Sequence, residues 1–238
     1  MPESIEPVLR LRGVTKNYSS LRPLRVEQLE ILDGESVALL GFDAAMAEVF
    51  VNLVTGAALP DSGEVSAFGQ RTTDIADTDG WMQYLDRFGL VSDRAVLIEQ
   101  LTAEQSLVMP LSLELDNMSP ELSAAASSLA DEVGLGADDR SRPIALLAPA
   151  LRLRVRLGRA LALAPRILIA EHPNASLARD EQPRFAADFA RIAKARRLSS
   201  VVLTADDAFA HAVAERVLTL QPATGALKSS SRWRRWLA

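Results

Sequence analysis

This sequence predicts an α/β fold: a mainly parallel sheet covered by helices on both faces. Three observations predict it. Short strand-length runs alternate with helix-type segments along most of the 238 residues. The run at 167–170 is apolar at consecutive positions, as in a strand buried on both faces. The stretch 35–56 reads as strand, tight turn, helix, the unit from which such sheets are wound.

Taken in order, residues 8–14, 26–31 and 37–40 read as strands, separated by Pro23 and by the turn at Asp33-Gly34. Gly41 permits a sharp turn, Asp43 is a good helix N-cap, and 44–55 is rich in helix formers. Pro60-Asp61-Ser62-Gly63 is a turn signal, and 65–68 is a short strand ending at Gly69. Residues 88–91 form the next strand. From about 102 to 139 the pattern is helical: Thr102 with Gln105 makes a capping box, and Pro120 opens an Ala/Ser/Leu-rich helix that ends near Gly134. Residues 151–163 are helical and stop at Pro165. Then follow strand 167–170, helix 182–197, strand 200–204, helix 206–214 and strand 216–220. The helical insertion, about 93–150, is expected to form a separate lobe within a domain spanning 1–228.

Composition narrows the function classes. A chain that is 48% hydrophobic and 24% charged buries a substantial core. Net charge of −5 and a pI near 5.2 argue against a general nucleic-acid binder, so no nucleic-acid partner is expected. The absence of cysteine excludes disulfides and thiolate metal sites. No apolar run approaches the ~20 residues of a membrane span, and residues 1–7 carry Glu3 and Glu6 rather than an apolar leader. A soluble, cytoplasmic protein is the expectation.

Ligands of parallel sheets bind at the carboxyl ends of strands, which directs attention to residues 41–48. A phosphate-binding loop there would read Gly, four residues, Gly, Lys, then Ser or Thr. Its amides wrap the phosphates, its lysine neutralises them and its hydroxyl holds magnesium. Counting from Gly41, the second glycine is Met46, the lysine is Ala47 and the hydroxyl is Glu48. Losing the lysine removes charge-assisted hydrogen bonds worth ~1.5–3 kcal/mol each. Asp43 and Glu48 place two carboxylates near any polyanion, at ~4 kcal/mol per contact for an effective dielectric of ~20. Millimolar binding is worth only ~4 kcal/mol. Asp43 can instead satisfy the helix N-terminal amides itself.

Six pieces in the right order and spacing resemble the ATP-binding cassette (ABC) ATPases, the nucleotide-hydrolysing subunits of ABC transporters. Leu11-Arg12-Gly13-Val14-Thr15-Lys16-Asn17-Tyr18 looks like that family's opening strand with its base-stacking tyrosine. The turn at Gly41 looks like its phosphate loop. Asn52-Leu53-Val54-Thr55-Gly56 and Pro60-Asp61-Ser62-Gly63-Glu64-Val65 look like the stretch beyond it. Leu147, Arg154-Val155 and Gly158-Arg159-Ala160-Leu161-Ala162 resemble the signature helix. Residues 165–169, Pro173 and Ser176-Leu177 resemble the second nucleotide strand and its loop. The resemblance covers about 8–228 and implies a P-loop NTPase-like fold with an N-terminal antiparallel β part and a helical subdomain.

The departures fall on the chemistry. The signature Leu-Ser-Gly-Gly-Gln appears as Leu147-Ala148-Pro149-Ala150-Leu151. By the resemblance, the magnesium-facing aspartate is Glu171, the catalytic glutamate His172, the phosphate-sensing glutamine Asp93 and the switch histidine Ala205. A vestigial nucleotide site would comprise Tyr18, Gly41, Asp43, Ala44 and Met46. No catalytic residue and no metal site are expected, and no cofactor unless ATP and Mg are still used. Tyr18 stacks on a base or is simply a half-exposed aromatic at a strand end. His172 is a structural or solvent-facing histidine, or a replacement base or metal ligand. Asp93 reads as a solvated loop carboxylate, and Arg152, Arg156 and Arg159 as the solvated face of an amphipathic helix.

The family geometry implies a degenerate subunit, or pseudo-ATPase, on the cytoplasmic face of a membrane. It would pair as a homodimer or heterodimer with another ATP-binding subunit and dock a permease near 93–111. The rival readings are an ATPase with non-standard site residues and a soluble interaction module. The tail 229–238, with Arg232, Trp233, Arg234, Arg235 and Trp236, suits a membrane interface or an acidic partner; a frayed terminus is the alternative.

Overall fold

A computed structural model describes residues 6–229. The Arg/Trp tail beyond Ser229 lies outside the described residues. Two sheets carry the chain. β1 (Leu9–Lys16) and β2 (Leu24–Ile31) are antiparallel and begin a four-stranded sheet. β3 (Ser36–Leu40) then starts the central six-stranded sheet and feeds α1 (Ala44–Val54). β4 (Ser62–Ala67) and β5 (Gln70–Arg71) complete the first sheet in the order β2-β1-β4-β5. After α2 (Thr78–Leu85) comes β6 (Phe88–Val91), then the helices α3 (Ala103–Val108), α4 (Pro120–Glu132), α5 (Ala137–Arg140) and α6 (Pro149–Leu161). β7 (Ile167–Glu171), α7 (Gln182–Ala195), β8 (Ser199–Leu203), α8 (Asp207–Val213), β9 (Arg216–Gln221) and β10 (Ala226–Ser229) close the chain.

The central sheet runs β10-β9-β3-β8-β7-β6, with only β10 antiparallel. Side chains alternate across it. Val37, Leu39, Ile167, Ile169, Val201 and Leu203 join a core shared with α1 and the antiparallel sheet. Ala38, Leu40, Leu168, Ala170 and Val202 join a second core with α3, α4, α6, α7 and α8. Both faces are therefore dry, which is why these strands read as unbroken apolar runs. Each fully buried aliphatic chain contributes about 1.5–3 kcal/mol.

Two close approaches set the position of α6. A Cβ on Gly158 would collide with Leu107 Cδ2 of α3, and one on Gly89 would stand 2.5 Å from the Ala160 carbonyl oxygen. Small residues let α6 lie against both α3 and β6.

The expected helical stretch at 102–139 resolves into α3, α4 and α5, with a non-helical segment between α3 and α4. The Thr102–Gln105 capping box forms as expected. Sequence reading missed α2, whose cap is Asp77, and the short strands β5 and β10. One expectation is corrected outright: the arginines of α6 are not a solvated face. Arg152 donates to the Ala145 and Leu147 carbonyls, Arg159 to the Val96 carbonyl, and Arg156 pairs with Asp93 at 3.0 Å. Arg154 is 7% exposed and pairs with Asp188. Their long donors reach back to satisfy loop carbonyls that a shorter side chain would leave unpaired. Among the described residues no helix is long and apolar enough to cross a membrane.

Candidate functional site

The carboxyl ends of β3, β6, β7 and β8 converge on the start of α1. Gly41 holds φ at +86°, and a Cβ there would stand 3.1 Å from the Leu220 carbonyl oxygen, so glycine alone makes this turn without strain. Phe42 is buried, edge-on to Phe50 at 5.6 Å, and anchors the loop to the core. Asp43 is extended, with φ −75° and ψ 176°, and its Oδ1 accepts from the Met46 amide at 2.8 Å. Its carbonyl accepts from the Ala47 amide at 2.9 Å. Two amides of the first turn of α1 are thus bonded to Asp43. Ala44 is exposed, Met46 is half-buried against the core, and Ala47 is fully enclosed.

Opposite this turn stands a charge cluster. Glu171, at the end of β7, has a side chain only 10% exposed. It accepts from Ser92 Oγ at 2.8 Å and from Arg94 Nε at 3.1 Å, and Arg94 Nη2 bonds its other oxygen. Arg94 Nη1 lies 3.3 Å from Glu48 Oε1 on α1. The hydrogen bond to Glu171 first, aided by the charges of Glu171 and Glu48, holds the Arg94 guanidinium above its ordinary pKa against the opposing effect of burial. One cation therefore bridges the first turns of α1, the end of β7 and the loop after β6.

The remaining expected positions are more scattered in role. Asp93 is 66% exposed, as a solvated loop carboxylate would be, yet pairs with Arg156. His172 sits in the left-handed region at φ 44°, its amide bonded to the Leu203 carbonyl. Its Nε2 is enclosed without a hydrogen-bond partner. Ala205 is exposed between β8 and α8, and Tyr18 is half-buried against the core beyond the end of β1. Among the described residues no group of three or more His, Cys, Asp or Glu is placed to hold a metal ion.

At the start of α6, Ala148 occupies the cap position with no side-chain bond and Pro149 the first turn. Proline removes a backbone donor there. Leu147 and Arg152 are tied together, because Arg152 Nε donates to the Leu147 carbonyl at 3.0 Å.

Sequence reasoning singled out Asp93 and passed over its neighbour Arg94, which makes the stronger contact. Ser92 was missed as well. The rule that ligands gather at strand carboxyl ends could have flagged both, since they directly follow β6.

No protein-family model matches the chain. The phosphonates import ATP-binding protein PhnC of Anaeromyxobacter dehalogenans is 33% identical over 196 residues, 78% of this chain and 38% of PhnC, so the chain spans well under half of that relative. The lipoprotein-releasing system ATP-binding protein LolD of Xylella fastidiosa is 27% identical over 218 residues, 90% of each chain. Among solved structures, the ATP-binding cassette MJ0796 bound to ADP and Pi superposes with a TM-score of 0.77 over 93% of this chain and 98% of that one, at 24% identity.

Proposed function

This chain belongs to the ATP-binding cassette family, and on that premise we propose that it is a transporter ATP-binding-type subunit whose nucleotide site has become structural. The single observation that carries this reading is the double internal closure of the site: Asp43 caps α1 and Arg94 holds Glu171. A magnesium triphosphate would have to displace both. Replacing the cap costs about 1 kcal/mol. Breaking two charged hydrogen bonds costs about 1.5 kcal/mol each, taken at the low end because Arg94 is 42% exposed. Those losses match the ~4 kcal/mol that millimolar binding is worth, and no lysine stands at Ala47 to offset them.

The role that follows is mechanical: completing or regulating a membrane transport complex powered by another ATPase. The exposed apolar side chains of Val96, Ile98 and Leu111, at 73%, 45% and 43%, support a docking surface for a permease in the 93–111 region. Such a subunit sits peripherally on the inner face of the membrane, its α3–α6 segment serving as the helical subdomain. It pairs with a copy of itself or with an intact ATP-binding subunit.

A second reading retains turnover, and the unpartnered Nε2 of His172, next to Glu171 in the sequence, favours it. Isothermal titration with Mg-ATP and with ATP alone tests the first reading; binding no tighter than about millimolar is the expected result. Steady-state hydrolysis that disappears in a Glu171→Ala/His172→Ala variant would replace it with the second.

A further inference from the structure

We propose that Arg94 is a built-in counter-ion: its guanidinium fills the acidic niche between α1 and the ends of β6 and β7, so that the niche needs no soluble cation. This deepens the degenerate-site reading and rests on it. The niche is made of hard oxygen donors, the carboxylates of Glu171 and Glu48 and the hydroxyl of Ser92. These are the donor types that recognise magnesium or calcium. Arg94 contacts both carboxylates at once, and its own amide donates to Ser92 Oγ at 3.1 Å, which in turn donates to Glu171, so the loop and the side chain converge on one carboxylate. The planar guanidinium matches this forked geometry where an ammonium would reach one carboxylate at a time. Glu171 is nearly enclosed, and an enclosed carboxylate without a partner is strongly penalised.

The counter-ion also acts at a distance. Two residues beyond it stands Val96, whose carbonyl is held by Arg159 at 2.9 Å, and beyond that Glu99, whose carbonyl accepts from Ala145. Arg94 fixes the near end of the segment that presents Val96 and Ile98. The position of that apolar surface is then independent of any ligand at the Gly41 turn.

Removing the guanidinium should create a demand for a mobile cation. The test compares thermal unfolding of the full chain in MgCl2 or CaCl2 with KCl at matched ionic strength, for wild type, Arg94→Ala, Arg94→Lys and Arg94→Ala/Glu171→Gln. Wild type should melt at the same temperature in all salts. Arg94→Ala should melt lower in KCl and regain roughly 3–6 °C at a tenfold excess of divalent cation over its Kd. Arg94→Lys, which keeps one charge, and the double variant, which lacks the Glu171 anion, should not respond. A folded Arg94→Ala that ignores divalent cations overturns the proposal. If Arg94→Ala does not fold, a divalent response in Arg94→Lys overturns it and the absence of one supports it. Mg-ATP titration of wild type stands apart: tight binding there removes the degenerate-site reading, whereas a cation-blind Arg94→Ala removes only the counter-ion.

Discussion

The N-termini of α1 and α6 fall where the resemblance to the ABC family puts a phosphate loop and a signature, and they differ from each other in how their first turns are held. At α1 the backbone amides remain but one is occupied, since Asp43 takes the Met46 amide for itself. At α6 a binding group is gone, since Pro149 has no amide to offer and Ala148 has no capping oxygen. The difference extends to how each helix is held. α1 is held by its cap and by apolar packing, whereas α6 is held in addition along its length by arginines that reach other elements.

The sharpest way to break that contrast is Arg154→Ala. Arg154 is 7% exposed, donates to the Val133 carbonyl and pairs with Asp188 at 2.7 Å. Removing it leaves the buried Val133 carbonyl without this donor and half-buried Asp188 with Arg191 alone, and should lower unfolding free energy by about 2–3 kcal/mol, read from urea denaturation. A loss below about 1 kcal/mol, the size of a surface pair, would mean that α6 is anchored elsewhere. The same variant has a pH signature. Burial pushes the Asp188 carboxyl up, but the hydrogen bond and charge of Arg154, followed by those of Arg191, outweigh it and hold the group below its ordinary range. A carboxyl lowered in the folded state stabilises above its unfolded pKa and loses that contribution as pH falls through the folded one. Wild type should therefore lose part of its stability below about pH 4, and Arg154→Ala should flatten that acid limb.

Gly158→Ala probes the packing of α6 rather than its charges. The new Cβ collides with Leu107 Cδ2, so the Leu107 side chain or α3 itself must shift, at about 1–2 kcal/mol by thermal or chemical denaturation. A neutral result would show that α3 adjusts freely. At the other helix, Asp43→Ala should cost about 1 kcal/mol by loss of the cap, while Mg-ATP titration should still show no tight binding, because Arg94 and the missing lysine are untouched. Binding gained by this variant alone would show that occupation by Asp43 is the whole barrier. The smallest effect is a gain: Ala148→Ser gives α6 the capping oxygen it lacks and should add about 0.5 kcal/mol, measurable as a slightly higher urea midpoint.

Legibility in the sequence followed the range of the interactions. The Thr102–Gln105 box and the Asp43 cap were readable because a cap spans three residues and needs no distant partner. The strand runs were readable because burial on both faces leaves no room for polar alternation. The α6 arginines were misread because helical periodicity places a side chain on a face but not against its partner. Arg156 meets Asp93 and Arg154 meets Asp188 across gaps in sequence of more than thirty residues. Arg94 was passed over for the same reason: its partners Glu48 and Glu171 are far from it along the chain in both directions.

What the sequence determined by itself was the winding of an α/β sheet, the turn at Gly41, the self-capped start of α1 and the presence of Ala47 and Glu48 where a phosphate loop would carry its lysine and hydroxyl. Those features depend on neighbours a few residues apart, where backbone geometry and side-chain reach leave few choices. Only the tertiary structure decided which charge faces which. Ion pairs carry no sequence period, so the guanidinium that closes the niche between β6, β7 and α1 could be assigned only once three distant segments had been brought to the same end of the sheet.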